Sequence, residues 1–371
     1  MVKTASRLDS IELSQIRKMF EVADKNAINL GIGEPDFDIP ENVKTAIKDA
    51  LDDGFTHYTS NKGLLELREE ISKKLKNDNK IAIDTESIMV TVGASEALYI
   101  CAQGLFEKGD EILIPDPGFL SYKACVDLAE SKSIPVELKI ENDYKMKVDD
   151  IQEKINSKTK ALIMNSPANP TGSVMDKKDI KAIADLATDH DFMIISDEIY
   201  EKIIYGKKHY SPAQFSDNTI IINGFSKTYA MTGLRIAYLA GQNDMVEELL
   251  KVHQYNTACA NSISQIGACE ALSGPQKYVK TIVKEFERRK DLVAKRLKDI
   301  DLKCSKLEGA FYAFPQMENV NEYVQKAIDV GVITVPGYGF GETCDNNLRI
   351  SYANSYEKLE EAMNRLETIK Q

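Results

Sequence analysis

The stretch TIIINGFSKTYAMTGLRIAYLA, Thr219 to Ala240, decides the fold because it holds two buried strands and the loop between them. TIIIN (219–223) and RIAYLA (235–240) are almost continuously apolar, which is typical of strands buried on both faces of a mostly parallel sheet. The loop carries Lys227, and Arg235 opens the second run. We therefore expect a polar site where this part of the chain leaves the sheet.

Four apolar runs upstream repeat the pattern of strand followed by helix. They are IMVTV (88–92), EILIP (111–115), ALIMN (161–165) and FMIIS (192–196). In DKKDIKAIADLATDH, which lies between the last two runs, Ile180, Ile183, Ala184 and Ala187 form one helical apolar stripe. The alternation of strand and helix predicts an α/β fold in layers.

The pattern changes after about residue 275. A long charged helix, QKYVKTIVKEFERRKDLVAKRLKDI, is followed by CSKLEGAFYAF, GVITV and LRISY, which predicts a smaller α+β domain. We expect an N-terminal arm and small-domain segment over residues 1–40, a large domain over 41–274 and a small domain over 275–371. The segment SRLDSIELSQIRKMF is expected either to pack on a partner or the substrate, or to form an ordinary surface helix.

Composition excludes several classes of protein. The 371 residues carry 47 basic and 58 acidic side chains, a net charge of −11, which argues against a broad nucleic-acid or anionic-membrane surface. No run approaches the length of a membrane span, and the start lacks the apolar core of a signal peptide. The six cysteines form no CxxC pair and the four histidines are scattered, so we expect no metal site and a cytoplasmic protein.

In open α/β sheets, ligands bind beyond the carboxyl ends of the strands. Gly93, Ala94 and Ser95 follow IMVTV and open a helix, which predicts either an anion site at a helix start or a plain turn with a serine cap. Asn169 lies in SPANPTG after ALIMN, a segment that could also be only a rigid loop. Asp197 follows FMIIS and is either a site carboxylate or a helix cap.

Lys227 does not belong to a phosphate-binding loop of the Walker type, because Ser226 and Ile221 replace the two required glycines. GIGEPD is no dinucleotide fingerprint either, since Asp36 takes the last glycine position and Pro35 opposes the required helix. A lysine, a carboxylate, a phosphate site, an arginine and an aromatic face together suit pyridoxal phosphate. The lysine bonds to its aldehyde, the carboxylate keeps the ring nitrogen protonated, and the arginine holds the phosphate.

On these motifs the sequence resembles the fold-type-I pyridoxal-phosphate aminotransferases of the aspartate/aromatic class, especially archaeal ones, over nearly its whole length. The resemblance implies a seven-stranded, mostly parallel sheet between helices. SKTYAMTGLR is similar to the family's Schiff-base segment, which makes Lys227 the Schiff-base lysine and Ser226 and Arg235 phosphate ligands. Asp197 in ISDEIY then corresponds to the aspartate at the pyridine nitrogen, and Tyr200 to the tyrosine at the ring hydroxyl.

The remaining site residues are implied by the same resemblance. Asn169 shares the ring hydroxyl, Ala94 and Ser95 begin the phosphate-binding helix, and Phe119 in PDPGFLSY stacks on the cofactor. Tyr58 in HYTSNKG resembles the tyrosine that reaches the phosphate from the partner subunit, which implies a homodimer.

The family's substrate site maps onto two other motifs. Gly33 in GIGEPDF resembles the backbone position beside the substrate carboxylate, and Arg349 in NLRISY resembles the arginine that pairs with that carboxylate. The alternative for Arg349 is a structural ion pair at a strand end.

The substrate is expected to be an L-amino acid, with 2-oxoglutarate as the other partner in a ping-pong reaction through Lys227. Aspartate is the best expectation, although Ser95 stands where some relatives carry a lysine for the second carboxylate, and VHQYNTACANSISQI (252–266), where others use a partner arginine, contains neither Arg nor Lys. The alternatives are an aromatic or kynurenine-type aminotransferase and a cysteine-conjugate β-lyase. A ligand-sensing regulator would need a DNA-binding module before GIGEPDF, which begins by residue 31.

Overall fold

The computed structural model describes residues 3–9, 11 and 26–369. In chain order the strands are β1 (Ile28–Asn29), β2 (Ile88–Thr91), β3 (Glu111–Asp116), β4 (Lys132–Glu137), β5 (Thr159–Asn165), β6 (Met193–Asp197), β7 (Thr219–Gly224), β8 (Ala237–Ala240), β9 (Tyr312–Ala313), β10 (Val332–Ile333), β11 (Val335–Pro336) and β12 (Leu348–Ser351). The helices are α1 (Glu41–Asp52), α2 (Leu65–Lys74), α3 (Ala94–Leu105), α4 (Ser121–Leu128), α5 (Val148–Gln152), α6 (Lys177–Asp189), α7 (Asn243–Asn256), α8 (Ser262–Ser273), α9 (Lys277–Asp299), α10 (Val320–Asp329) and α11 (Tyr356–Glu367).

A seven-stranded sheet in the order β2-β8-β7-β6-β5-β3-β4 forms the central layer of the larger part of the fold. The β3–β4, β3–β5, β5–β6 and β6–β7 pairs are parallel, and only β8 runs antiparallel to its two neighbours. Strand β2 therefore points the same way as β7, so both end at one edge of the sheet. The prediction of a mostly parallel α/β sheet is confirmed.

The six strands predicted for this sheet lie within about two residues of their expected positions, but β4 was missed. Strand β4 occupies the edge of the sheet, and only one of its six residues, Val136, is buried. It also contains Pro135, which lacks the N–H of an interior strand and is tolerated at an edge. Neither an apolar run nor a clean alternation marks such a strand in the sequence.

Both faces of the sheet are covered by helices. Ile180, Ile183, Ala184 and Ala187 of α6 are buried with β5 and β6, as their spacing predicts. The opposite face packs against α3, α4 and α7. Within the described ranges no helix is both long and apolar enough to cross a membrane.

A second group of strands forms from residues that are distant in sequence. Strand β1 pairs with β10: Ile28 N donates to the Gly331 carbonyl at 2.9 Å, and Leu30 N donates to the Ile333 carbonyl at 2.8 Å. Strand β12 lies between β9 and β11 in a three-stranded antiparallel sheet. The expected domain boundaries stay predictions, and residues 12–25 of the expected arm lie outside the described part of the chain.

The close pairing of β7 with β8 holds the two ends of the loop that carries Lys227. A substitution at Gly224 tests how tight this pairing is. A Cβ on Gly224 would lie 2.6 Å from Cβ of Ala237 and 2.8 Å from its Cα. We expect Gly224→Ala to lower the free energy of unfolding by about 1–3 kcal/mol, measured by urea unfolding with circular dichroism.

Gly233→Ala is the matched control, because a Cβ there would meet no atom within 4 Å. Its free energy of unfolding should stay within about 0.5 kcal/mol of the parent. Equal stability of the two variants would contradict the tight contact between β7 and β8.

Candidate active site

Lys227 follows β7 and projects into a cavity at the edge of the sheet. Its Nζ donates a hydrogen bond to the carbonyl oxygen of Gly33 at 2.6 Å. Burial lowers the pKa of this amine to about 8; nearby Arg349 and Arg235 act in the same direction, and Glu34 opposes them. An amine with this pKa is about half neutral at pH 8, and a neutral amine is a nucleophile and a base.

The loop after Lys227 is held in an unusual backbone conformation. Ala230 and Arg235 have φ angles of 54° and 50°, the left-handed region that residues other than glycine rarely adopt. Arg235 Nη1 donates to the carbonyl of Thr232 at 2.9 Å, and Ser264 Oγ donates to the carbonyl of Leu234 at 2.8 Å. Such conformations persist where surrounding contacts enforce them, which is typical of functional sites.

Asp197 ends β6 with its carboxylate buried in the same cavity. Its Oδ2 accepts a hydrogen bond from Tyr122 Oη at 2.8 Å, and its Oδ1 accepts one from the Ile199 amide at 3.3 Å. Burial raises the pKa of Asp197 to about 6, against the effect of these two donors. Among the ion pairs of the described residues, none joins Asp197 to Lys227, so a cationic group of a ligand could face this carboxylate.

A set of anion-binding groups lies at the start of α3. The amides of Ala94 and Ser95 are in the first helical turn, where the helix itself provides no acceptor. Gly93 precedes them with a φ of 79°, and a Cβ on it would lie 2.6 Å from Arg235 Nη2. The absence of a side chain at Gly93 thus leaves room for the guanidinium beside the helix N-terminus, and Ser226 also lines this region.

Arg349 supplies a second guanidinium from strand β12. It is 2% exposed, and its Nη1 donates to Asn169 Oδ1 at 3.0 Å while its Nη2 donates to the Gly31 carbonyl. The guanidinium carbon lies 4.8 Å from the ring centre of Tyr312 and 4.6 Å from that of Phe340. Its charge has no carboxylate partner among the described residues, which fits an arginine that binds the carboxylate of a ligand.

These groups line one cavity of about 290 Å³. The structure brings together all predicted site residues except Tyr58, namely Gly33, Ala94, Ser95, Phe119, Asn169, Asp197, Tyr200, Ser226, Lys227, Arg235 and Arg349. Tyr58 is 88% exposed and does not line the cavity of its own chain. The roles that the sequence assigns to these residues stay predictions.

The cavity also contains residues that sequence reasoning missed. They are Ile32, Leu98, Tyr122, Asn165, Ile199, Thr232 and Tyr312. For Tyr122 the sequence held a signal, because Tyr122 lies only three residues after Phe119. In the structure the two rings pack edge to face at 5.8 Å. For Tyr312 there was none, because an aromatic residue within GAFYAF is equally expected of an ordinary core strand.

One cluster of potential metal ligands lies beside the site. Side-chain atoms of Glu198, Glu201 and His209 lie within 4.8 Å of one another. The carboxylate oxygens already have protein partners: Glu198 accepts from Ser196 and contacts His209 Nε2 at 2.8 Å, and Glu201 pairs with Lys74 and Asn79. The ammonium of Lys74, which pairs with Glu201 and has only 10% of its side chain exposed, opposes a divalent cation there, so we assign this group to a polar network.

The residues present fit pyridoxal phosphate. A phosphate matches the helix N-terminus and Arg235, a pyridinium N–H matches the buried carboxylate of Asp197, and an aldehyde matches the desolvated amine of Lys227. The aromatic face of Phe119 lines the same space. The open volume that Gly93 leaves beside Arg235 supports this assignment, because a side chain there would displace the guanidinium.

The comparisons with known proteins agree with this chemistry. The model of the family "Aminotransferase class I and II" matches residues 25–366. The chain is 48% identical to the probable aspartate aminotransferase of Methanocaldococcus jannaschii over 97% of both chains. It is 43% identical to aromatic-amino-acid aminotransferase 2 of Thermococcus litoralis, over 98% of this chain and 97% of the relative. The structure of Thermus thermophilus aspartate aminotransferase with maleate matches with a TM-score of 0.94 at 33% identity, covering 98% of this chain and 99% of that one.

The lowered pKa of Lys227 predicts a particular pH dependence of its reactivity. In cofactor-free protein, acetylation of Lys227 by acetic anhydride should reach half its maximal rate near pH 8, whereas a free lysine side chain does so near 10.5. The sign follows from burial, which disfavours the protonated amine and so makes the reactive neutral form available at lower pH. Peptide mass spectrometry of a pH series measures the midpoint.

Arg349→Gln provides the comparison, because removing its positive charge should move the Lys227 midpoint upward. A parent midpoint close to 10.5 would contradict the desolvated amine.

Proposed function

Because the chain belongs to the class I and II aminotransferase family, we propose that it moves the amino group of L-aspartate to a 2-oxo acid such as 2-oxoglutarate. The observation that supports this proposal is the convergence of Lys227, Asp197 and two guanidiniums on one cavity. The names of the Methanocaldococcus and Thermus relatives favour aspartate as the amino donor. Pyridoxal phosphate is the cofactor that we assign to it.

When bound, pyridoxal phosphate supplies an aldehyde that condenses with amines and an electron-withdrawing ring that stabilises negative charge at a substrate α-carbon. Asp197 would accept a hydrogen bond from the ring N–H and keep the ring protonated. Ser226, Arg235 and the amides of Ala94 and Ser95 would hold the phosphate. Asn169 and Tyr200 would contact the ring hydroxyl, and Phe119 would lie against the ring face.

Arg349 and Lys227 act on the substrate itself. Arg349 would pair with the α-carboxylate through both terminal nitrogens, which fixes the orientation of the α-carbon. Nζ of Lys227 would accept the α-proton of the substrate and hold it for return. The lowered pKa of Lys227 suits a base near neutral pH. Because one product leaves before the second substrate enters, we expect ping-pong kinetics.

A second candidate is an aromatic or kynurenine-type aminotransferase. The described residues that line the cavity include no cation other than Lys227, Arg235 and Arg349, and the wall also contains Ile32 and Leu98. A second substrate carboxylate therefore has no dedicated partner on this chain, and an apolar side chain would fit this wall. The aromatic aminotransferase of Thermococcus litoralis supports this alternative.

The experiment that tests the proposal is a single half-reaction. Protein loaded with pyridoxal phosphate should release about one equivalent of oxaloacetate per chain from aspartate with no oxo acid added, as the cofactor absorption band shifts. Tyrosine, phenylalanine and kynurenine are compared at equal concentration. Faster release from these would favour the aromatic alternative, and pyruvate with ammonia from a cysteine conjugate would favour the β-lyase.

Lys227→Ala serves as the variant for this experiment. It should keep the cofactor without a covalent bond, so borohydride treatment should add no cofactor mass to the chain, and release of oxaloacetate should fall by at least about 10³-fold. Lys123→Ala, which removes an exposed lysine that pairs with Asp127, is the control and should behave as the parent. A covalent adduct in the Lys227 variant would contradict the proposal.

We further propose that the active unit is a homodimer in the cytoplasm. Tyr58 is 88% exposed although it is a large aromatic residue, which fits a side chain that a second copy covers. An isologous pair would place the two copies of Tyr58 at two equivalent sites. All six cysteines are free thiols, as is usual for proteins of a reducing compartment.

Complementation between two chains that are each expected to be impaired tests the role of Tyr58. When Tyr58→Ala and Lys227→Ala chains are co-expressed, a mixed dimer has one site with Lys227 from one chain and Tyr58 from the other. Random pairing makes half of the dimers mixed, so activity should approach about a quarter of the parent value. Activity no greater than that of the Tyr58→Ala chain alone would show that each site is built from one chain.

A further inference from the structure

Tyr312, at the start of β9, lies where three parts of the candidate site meet. Its Oη is 2.8 Å from Tyr200 Oη, and its ring centre is 4.8 Å from the guanidinium carbon of Arg349. A Cβ on Gly33 would lie only 2.0 Å from the Tyr312 Oη. The Tyr312 phenol thus lies against Tyr200, Arg349 and Gly33. Tyr200 is predicted to bind the cofactor and Arg349 the substrate, and the Gly33 carbonyl accepts the hydrogen bond of Lys227.

The surroundings hold the Tyr312 side chain in place. It is 1% exposed, and its ring packs at 4.9 Å against Phe311, which also packs edge to face against Tyr200 at 5.4 Å. Strand β9 pairs with β12, so Tyr312 lies opposite Ser351, two residues from Arg349. The backbone is equally constrained, because a Cβ on Gly172 would lie 2.8 Å from the Tyr312 carbonyl oxygen. The phenol has little freedom to turn away from Tyr200.

The direction of the hydrogen bond between the two phenols follows from the charge that lies against Tyr312. Burial raises the pKa of both, and that of Tyr200 lies well above its ordinary value. The charge of Arg349 opposes the rise at both phenols, but its guanidinium lies directly against the Tyr312 ring, 4.8 Å from the ring centre. A cation against a phenol ring makes its O–H a better donor, so we take Tyr312 as the donor in the 2.8 Å contact with Tyr200. With Tyr312 donating, the Tyr200 O–H is left free to point into the cavity.

We propose that Tyr312 is a positioning residue that donates its hydrogen bond to Tyr200, so that Tyr200 in turn donates to the ring hydroxyl of pyridoxal phosphate. This inference rests on the proposed function. Hydrogen bonds in a chain strengthen one another inside a protein, so the Tyr312 donor makes Tyr200 a stronger donor. A stronger donor at the ring hydroxyl withdraws electrons from it and weakens proton binding at the nitrogen that links Lys227 to the cofactor.

Tyr312→Phe tests the proposal, because it removes the hydroxyl and keeps the ring against Arg349. In the resting cofactor-loaded protein, the pKa of the linking nitrogen, read from the absorption spectrum over a pH series, should rise by roughly 0.5 to 1 pH unit. The apparent affinity for the amino acid should change little, because the guanidinium keeps its packing.

Tyr352→Phe is the matched control. Tyr352 is as deeply buried in the same apolar cluster, and its hydroxyl donates to the Ala310 carbonyl at 3.3 Å without lining the cavity. This variant should leave the spectral pKa unchanged. An equal rise in both variants would overturn the proposal, because general loosening of the cluster would then explain it.

Tyr200→Phe and the double variant decide whether Tyr312 acts through Tyr200. If it does, the double variant should titrate like Tyr200→Phe alone; if the two shifts add, the proposal is wrong. An unchanged titration in Tyr312→Phe would also overturn it. A parent protein with no cofactor band would instead contradict the proposed function, so the two failures are distinguishable.

Discussion

The desolvation of Lys227 is the constraint on which the rest of the site depends. A lysine amine is most stable when it is protonated and hydrated. Burying it in a cavity therefore costs free energy that other interactions of the fold must offset. Here Nζ donates to the Gly33 carbonyl, and two guanidiniums nearby favour its neutral form. The carboxylate of Asp197 is buried in the same cavity, but it accepts its hydrogen bonds from Tyr122 and a backbone amide. Among the described residues no carboxylate forms an ion pair with the amine, which would otherwise keep it protonated and unreactive.

The substrate side of the cavity depends on contacts between distant parts of the chain. Arg349 comes from β12, while the carbonyls and glycines that face it belong to residues 31–33. A two-pronged ion pair between Asp36 and the buried Arg289 of α9, at 2.6 and 3.1 Å, anchors the segment that follows. A guanidinium held this rigidly loses little entropy when it binds a carboxylate, which favours orientation of the substrate.

The sequence predicted the sheet and the edge at which the site lies, because buried parallel strands leave an apolar run and their ends collect polar residues. This pattern, together with the groups that pyridoxal phosphate requires, was enough to predict Asp197 and Lys227 as site residues. Arg349 needed the resemblance to a family, since an arginine at a strand end is otherwise unremarkable. Tyr312 was missed because its partner Tyr200 is 112 residues away, and no local pattern reports that contact. Edge strand β4 was missed because its side chains face solvent as much as the core.

The central claim is that the chain transfers an amino group intact from one carbon skeleton to another, using the desolvated Lys227. The most direct test follows nitrogen from ¹⁵N-labelled aspartate in the presence of pyridoxal phosphate and unlabelled 2-oxoglutarate, by nuclear magnetic resonance. The account predicts ¹⁵N-glutamate and oxaloacetate in equal amounts, with no labelled ammonia. Label that appears as ammonia, or that stays on aspartate while other amino acids transfer theirs, would contradict it.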